Sequence, residues 1–142
     1  MNALFIGATS GLIAVALSAF GAHALDGRLS ERAMEVFQTA ADYQFYHSLA
    51  LVFVALLSTT YAASKRLKWC AGFFSLGILL FSGSLYLLSL GELVIPEGIR
   101  WLGMITPLGG VSFMLGWLML TIFALKDFHQ TTSSSLPTSK SE

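Results

Sequence analysis

Long runs without a single Asp, Glu, Lys or Arg alternate along the chain with short charged connections. Four such runs occupy residues 1–25, 43–64, 69–91 and 101–125, with 25, 22, 23 and 25 residues. At 1.5 Å of helical rise per residue each reaches roughly 33–37 Å, enough to cross a hydrocarbon core of about 30 Å. Leu49–Ala63 and Phe73–Leu90 are apolar all round apart from small hydroxyl residues, which suits lipid and leaves no water-facing side. The pattern predicts an all-α membrane protein, a bundle of four transmembrane helices. Its spans fall at approximately 3–25, 43–64, 69–91 and 101–125 and make one domain over residues 1–125.

A different periodicity fills the connection between the first two spans. Ser30 is a suitable N-cap, Glu31 places negative charge in the first turn, and Leu29 with Met34 can staple the cap. Ala33, Met34, Phe37, Ala40 and Ala41 then recur at helical spacing, with Glu35, Gln38 and Asp42 on another side. This predicts an interfacial amphipathic helix over residues 30–42. No Gly or Pro interrupts Arg28 to Leu57, so the helix can run into the second span, bent where it enters lipid.

Only Lys65, Arg66, Leu67 and Lys68 separate the second run from the third, which predicts an antiparallel hairpin. Before the fourth span, Pro96 and Glu97 open a short segment that leads to Thr106-Pro107. Either the last helix begins at Thr106 as N-cap with Pro107 at its first position, or a longer helix from about Ile99 is kinked at Pro107. The kinked helix is favoured, because Trp101–Ile105 is too apolar to sit in water. The tail, 126–142, has almost nothing apolar to bury and is expected to be disordered.

Composition removes several alternatives. The chain is 55 % hydrophobic and 11 % charged, with a mean hydropathy of +0.71, whereas soluble globular chains carry about 25 % charged residues. Its formal net charge is zero, so there is no basic stripe for nucleic acid. The single cysteine, Cys70, excludes an internal disulfide, a thiolate zinc cluster and a Cys-x-x-Cys pair. Ala22-His23-Ala24 has the form of a signal-peptidase site, but no Lys or Arg precedes Arg28, which favours an uncleaved first helix.

Charge also orients the bundle. Lys65, Arg66, Lys68, Lys126 and Lys140 fall on one face and Arg28, Arg32 and Arg100 on the other. The positive-inside rule then predicts a multi-pass protein of the cell inner membrane with both termini cytoplasmic. Trp69, Trp101 and Tyr61, near helix ends, suit an aromatic belt.

Helices in lipid associate by close backbone approach, so small residues mark their contact faces. The first span carries Gly7-x-x-x-Gly11, then Ala14, Ser18 and Ala22 at four-residue steps. This stripe is expected to hold a neighbouring helix, and the Gly7/Gly11 part equally suits a second subunit in a homo-oligomer.

Candidate chemistry concentrates in a polar cluster at one membrane face: His23, Tyr43, Gln44, Tyr46 and His47. His47 lies five residues inside Asp42, roughly 7–8 Å deep, and His23 is three residues from Asp26. Ionisable residues at such depth are costly and often functional.

With these residues a resemblance emerges. Gly21-Ala22-His23-Ala24-Leu25, Tyr43-Gln44-Phe45-Tyr46-His47-Ser48-Leu49, Phe81-Ser82-Gly83-Ser84-Leu85-Tyr86 and Ile105-Thr106-Pro107-Leu108-Gly109-Gly110 together resemble the YgdD and transmembrane protein 256 family. The likeness covers all four spans in order. It implies a small four-helix protein, usually of the bacterial inner membrane, and carries over no activity or site residue.

Four uses of the cluster compete. The histidines can hydrogen-bond across helices or to Gln44, Tyr43 or Tyr46, satisfying polar groups where water is scarce. As axial haem ligands they would have to face one another across a porphyrin, for which the close-packed small stripe leaves too little room. As metal ligands with Glu35 or Asp42 they lack His-x-x-x-His or Glu-x-x-His spacing. A proton or small-solute path would need polar continuation, and later spans offer only Ser82, Ser84, Ser89, Thr106 and Ser112. No Ser/His/Asp set, phosphate loop or paired intramembrane carboxylates mark an enzyme. The structural use is therefore expected, with no catalytic residue, cofactor or metal, and the lipid bilayer as the assured partner.

Overall fold

The computed structural model describes residues 2–62, 64–94 and 100–128. Four helices, α1 (Ala3–Leu25), α2 (Glu31–Thr60), α3 (Lys65–Val94) and α4 (Leu102–Lys126), are each long and apolar enough to cross a membrane. Among the described residues there is no strand.

Local chemistry sets the helix boundaries. Asn2 caps α1, its side-chain oxygen accepting from Leu4 N at 3.1 Å. The chain leaves α1 through Gly27, which has a φ of 71° and is the one described residue in the left-handed region, where a residue without Cβ sits at no steric cost. Ser30 then caps α2, accepting from Ala33 N at 3.2 Å. Helical bonding continues unbroken from Glu31 to Thr60, so the amphipathic segment 30–42 and the second span form one helix of 30 residues.

The basic residues Lys65 to Lys68 are the first turn of α3; the chain reverses just before them, where Ser64 N bonds Tyr61 O at 2.9 Å. Inside α3, Ile78–Ser82 is a π-helical turn between two α-helical halves.

The last span differs from the kinked helix expected from the apolar run ahead of Pro107. A 3-10 turn, Arg100–Met104, leads in, and the α-helix starts at Thr106 and extends to Phe123. Ile105 is the N-cap, its carbonyl accepting from Leu108 N at 3.0 Å and Gly109 N at 3.2 Å. Pro107 thus sits in the first turn, where its missing N–H removes no helical bond. Thr106 does not cap the helix; its hydroxyl pairs with Ser84 Oγ of α3 at 2.8 Å. Helical backbone continues to Phe128. Pro96, Glu97, Ile99, and the tail from 129 with His129 and Lys140 lie outside the described residues, as does the Trp101 side chain.

In space α1 packs along α2, α2 along both halves of α3, and α3 along α4. The main core joins Leu51 and Val54 of α2, Leu67, Cys70 and Phe74 of α3, and Phe113 and Phe123 of α4. A smaller core gathers Leu25, Leu29, Ala33 and Phe37 under Tyr86 and Leu90. The outward surface is apolar: Phe5, Leu12, Leu79 and Met104 are each 70–72 % exposed. Large apolar surface facing outward on every helix belongs to a protein solvated by lipid.

The glycines explain how closely the helices approach. A Cβ at Gly7 would stand 2.9 Å from Ser48 O, and one at Gly11 3.0 Å from Ser48 Oγ. The Gly7/Gly11 face is therefore filled by α2 of the same chain, which corrects its reading as a surface for a second subunit. Between α3 and α4, a Cβ at Gly77 would overlap the Phe113 ring, one at Gly116 the Phe74 ring, and one at Gly109 the Phe81 backbone.

Candidate functional site

Tyr43, Gln44, Tyr46 and His47 are successive or near-successive positions on α2, so the 100° step of a helix points them to different sides. Tyr43 and His47, four apart, share the side that faces α3 and α4. The His47 ring stacks on Phe113 with centroids 3.5 Å apart and planes 11° from parallel. Tyr43 stacks on Phe81 at 4.6 Å and on His47 at 5.9 Å. Phe74 and Trp117 complete the surround, at 5.7 Å and 6.3 Å from His47. The site is an imidazole enclosed by rings from three helices, only 7 % exposed.

Both ring nitrogens of His47 are engaged. Trp117 Nε1 donates to Nε2 at 3.4 Å, so Nε2 is the acceptor of the neutral ring. Nδ1 consequently carries the hydrogen and donates to Tyr43 O at 2.8 Å. An imidazole held in this way joins α2 to α4 and offers no lone pair to a metal or haem. Any ligand would have to displace the Trp117 indole.

Gln44 points the other way. It is 6 % exposed, and its Nε2 donates to Ser10 O at 3.0 Å, fastening α2 to α1. Tyr46 is 58 % exposed and touches only Tyr43 among the described rings, at 6.4 Å. His23 is exposed in the π-helical last turn of α1. The five candidate residues therefore do not form one cluster. His47 with Tyr43 joins the aromatic box, Gln44 joins α1, and His23 and Tyr46 face outward. Among the described residues no group of three or more His, Cys, Asp or Glu could hold a metal ion.

Sequence reasoning missed Phe74, Phe81, Phe113 and Trp117. One signal could have found Trp117: its indole N–H sits well inside the last span, where a donor away from water needs an acceptor. Further polar pairs across the helices repeat the pattern. Ser112 Oγ donates to Phe73 O at 2.8 Å, and Ser84 pairs with Thr106. Ser82 Oγ and Tyr86 OH, one turn apart on α3, are buried with no partner among the described residues.

The family described as a protein of unknown function (DUF423) matches residues 17–110, which hold all five candidate residues but not Phe113 or Trp117. A UPF0382 membrane protein of Staphylococcus epidermidis is 43 % identical over 123 residues, covering 87 % of this chain and 94 % of the relative. The UPF0382 membrane protein YwdK of Bacillus subtilis is 40 % identical over 123 residues, covering 87 % and 95 %. No solved structure matches.

Proposed function

We propose that this chain, which belongs to the DUF423 family of membrane proteins, serves as a structural or interaction protein of the inner membrane and not as an enzyme. The family has no established activity, in line with the resemblance to YgdD and transmembrane protein 256. The observation that carries the reading is the engagement of His47, whose two nitrogens and one ring face are all taken by the protein itself. Gln44, Ser84, Thr106 and Ser112 likewise hold helix to helix, which is what polar groups do in a bundle built for persistence.

A second reading, a proton or small-solute path, draws on the hydroxyls of Ser82 and Tyr86, which are buried with no partner among the described residues. Liposomes separate the two. Vesicles containing the purified protein should dissipate a proton gradient no faster than empty ones, and the protein should be colourless in the Soret region. Faster leakage abolished by Ser82→Ala with Tyr86→Phe would replace the structural reading with transport.

The proposed orientation has both termini cytoplasmic, from the excess of Lys and Arg at the α2–α3 turn and beyond α4. A cysteine placed at Ser135, in a chain whose Cys70 is changed to Ala, should resist a membrane-impermeant maleimide in intact cells and react after lysis. Labelling in intact cells would reverse the topology.

A further inference from the structure

At the end of the bundle where α1 begins, α1 and α3 flank α2 without closing over it. A groove of about 580 Å³ remains between them, walled by Ile6 of α1, Ala55 of α2, and Leu67, Ala71 and Gly72 of α3. It runs from Lys68 at its rim to Ser75, seven residues along α3, a depth of roughly 10 Å into the span. At Gly72 the space is open: a Cβ there would meet nothing within 4 Å. The hydroxyls that line it turn inward to their own helices, Ser58 Oγ donating to Val54 O and Ser75 Oγ to Ala71 O, both near 2.8 Å. The walls are therefore apolar in effect.

The rim has the opposite character. Lys68 is exposed there, beside Asn2, whose side-chain carbonyl oxygen accepts from Leu4 N. Two helices also begin at this end, α1 at Ala3 and α3 at Lys65, and neither has an acidic residue in its first turn. Helix starts carry partial positive charge, so they add to the lysine.

A groove that is cationic at the interface and apolar toward the midplane has the polarity of a phospholipid lying in its own leaflet. We propose that it holds an anionic phospholipid, with one acyl chain against Gly72 and the phosphate at Lys68 between the first turns of α1 and α3. The inference rests on the bundle lying in a bilayer. It does not depend on the interaction role proposed above or on which face is cytoplasmic.

The test uses the full chain reconstituted in vesicles of equal phosphatidylglycerol and phosphatidylcholine, then released for native mass spectrometry. Wild type should retain one phosphatidylglycerol per chain in preference to phosphatidylcholine. Lys68→Ala should reduce that preference about fivefold, the effect of one basic residue at a membrane surface. Gly72→Leu should remove bound lipid of either headgroup, with helicity and melting unchanged; Ala55→Leu fills the groove from the opposite wall should that variant not fold. Equal retention of the two lipids by wild type would overturn the proposal. So would undiminished phosphatidylglycerol in both groove-filling variants, displacement by inorganic phosphate alone, which would make the rim a free-anion site, or a dimer mass in place of the lipid adduct.

Discussion

Gly109→Ala should destabilise the bundle by about 2–3 kcal/mol, while Gly110→Ala next to it should be neutral or stabilising by roughly 0.5–1 kcal/mol. The two glycines share one helical turn and one composition, and differ in what they face. At Gly109 the added methyl would overlap the backbone N and Cα of Phe81. Backbone in mid-helix has no rotamer to change, so α3 and α4 must move apart. Separation also stretches the contacts that depend on the close approach, Ser84 with Thr106 and Ser112 with Phe73 O. At Gly110 the nearest atom to a new Cβ is Phe81 Cδ2 at 3.9 Å, an ordinary contact, so only the gain in helix propensity remains. Titration from mild detergent into sodium dodecyl sulfate, followed by tryptophan fluorescence, measures both. Equal effects at the two positions would mean that α3 and α4 are not packed as described.

The same pair shows how far the fold was legible in the sequence. Charge-free runs of 22 to 25 residues located all four helices, because length and apolarity are properties of one segment and need no partner. The cap at Ser30 was legible for the same reason. Small residues marked contact faces, yet the choice of partner was not local. The Gly7/Gly11 face suited a second subunit as well as α2, and only the approach of Ser48 decides between them. Nor could Thr106 be read as a partner of Ser84, since a Thr before Pro looks like a cap until the neighbouring helix brings a hydroxyl within hydrogen-bond reach. That neighbour also removed the need for a kinked helix: the apolar run before Pro107 is taken up by a 3-10 turn.

For the site, the direction in which each side chain points was not legible. The helical step turns His47 inward to Phe113 and Trp117, whereas His23 is left exposed at the end of α1. Gln44, one residue from Tyr43, is carried round to Ser10. The rings that surround His47 come from α3 and α4, about 30 to 70 residues away along the chain, and nothing in the spacing of the first two spans announces them. The polar residues of α2 thus form two fasteners facing in different directions, one to α1 and one to α4.

Phe113 is where these interactions meet, and it gives the second large effect. Phe113→Ala removes the ring that covers His47 and contacts Tyr43 and Phe81 at centroid distances of 6.3 and 5.6 Å. Separated helices would remain in lipid, so little transfer energy is lost; the cost is the cavity. An opening of roughly 100 Å³ at about 24 cal/mol per Å³ gives about 2.4 kcal/mol. Gly77→Ala should also destabilise, by about 1–3 kcal/mol, because its methyl would occupy the space of the same ring. Combined, the two changes should compensate in part: the methyl at residue 77 enters the space vacated at residue 113. The double variant should therefore lose about 1–2 kcal/mol less than the sum of the single losses, within the range for directly contacting residues. The same detergent titration on all four proteins completes the cycle. Strict additivity would show that Gly77 does not seat the Phe113 ring, and would remove the wall that holds Phe113 against His47.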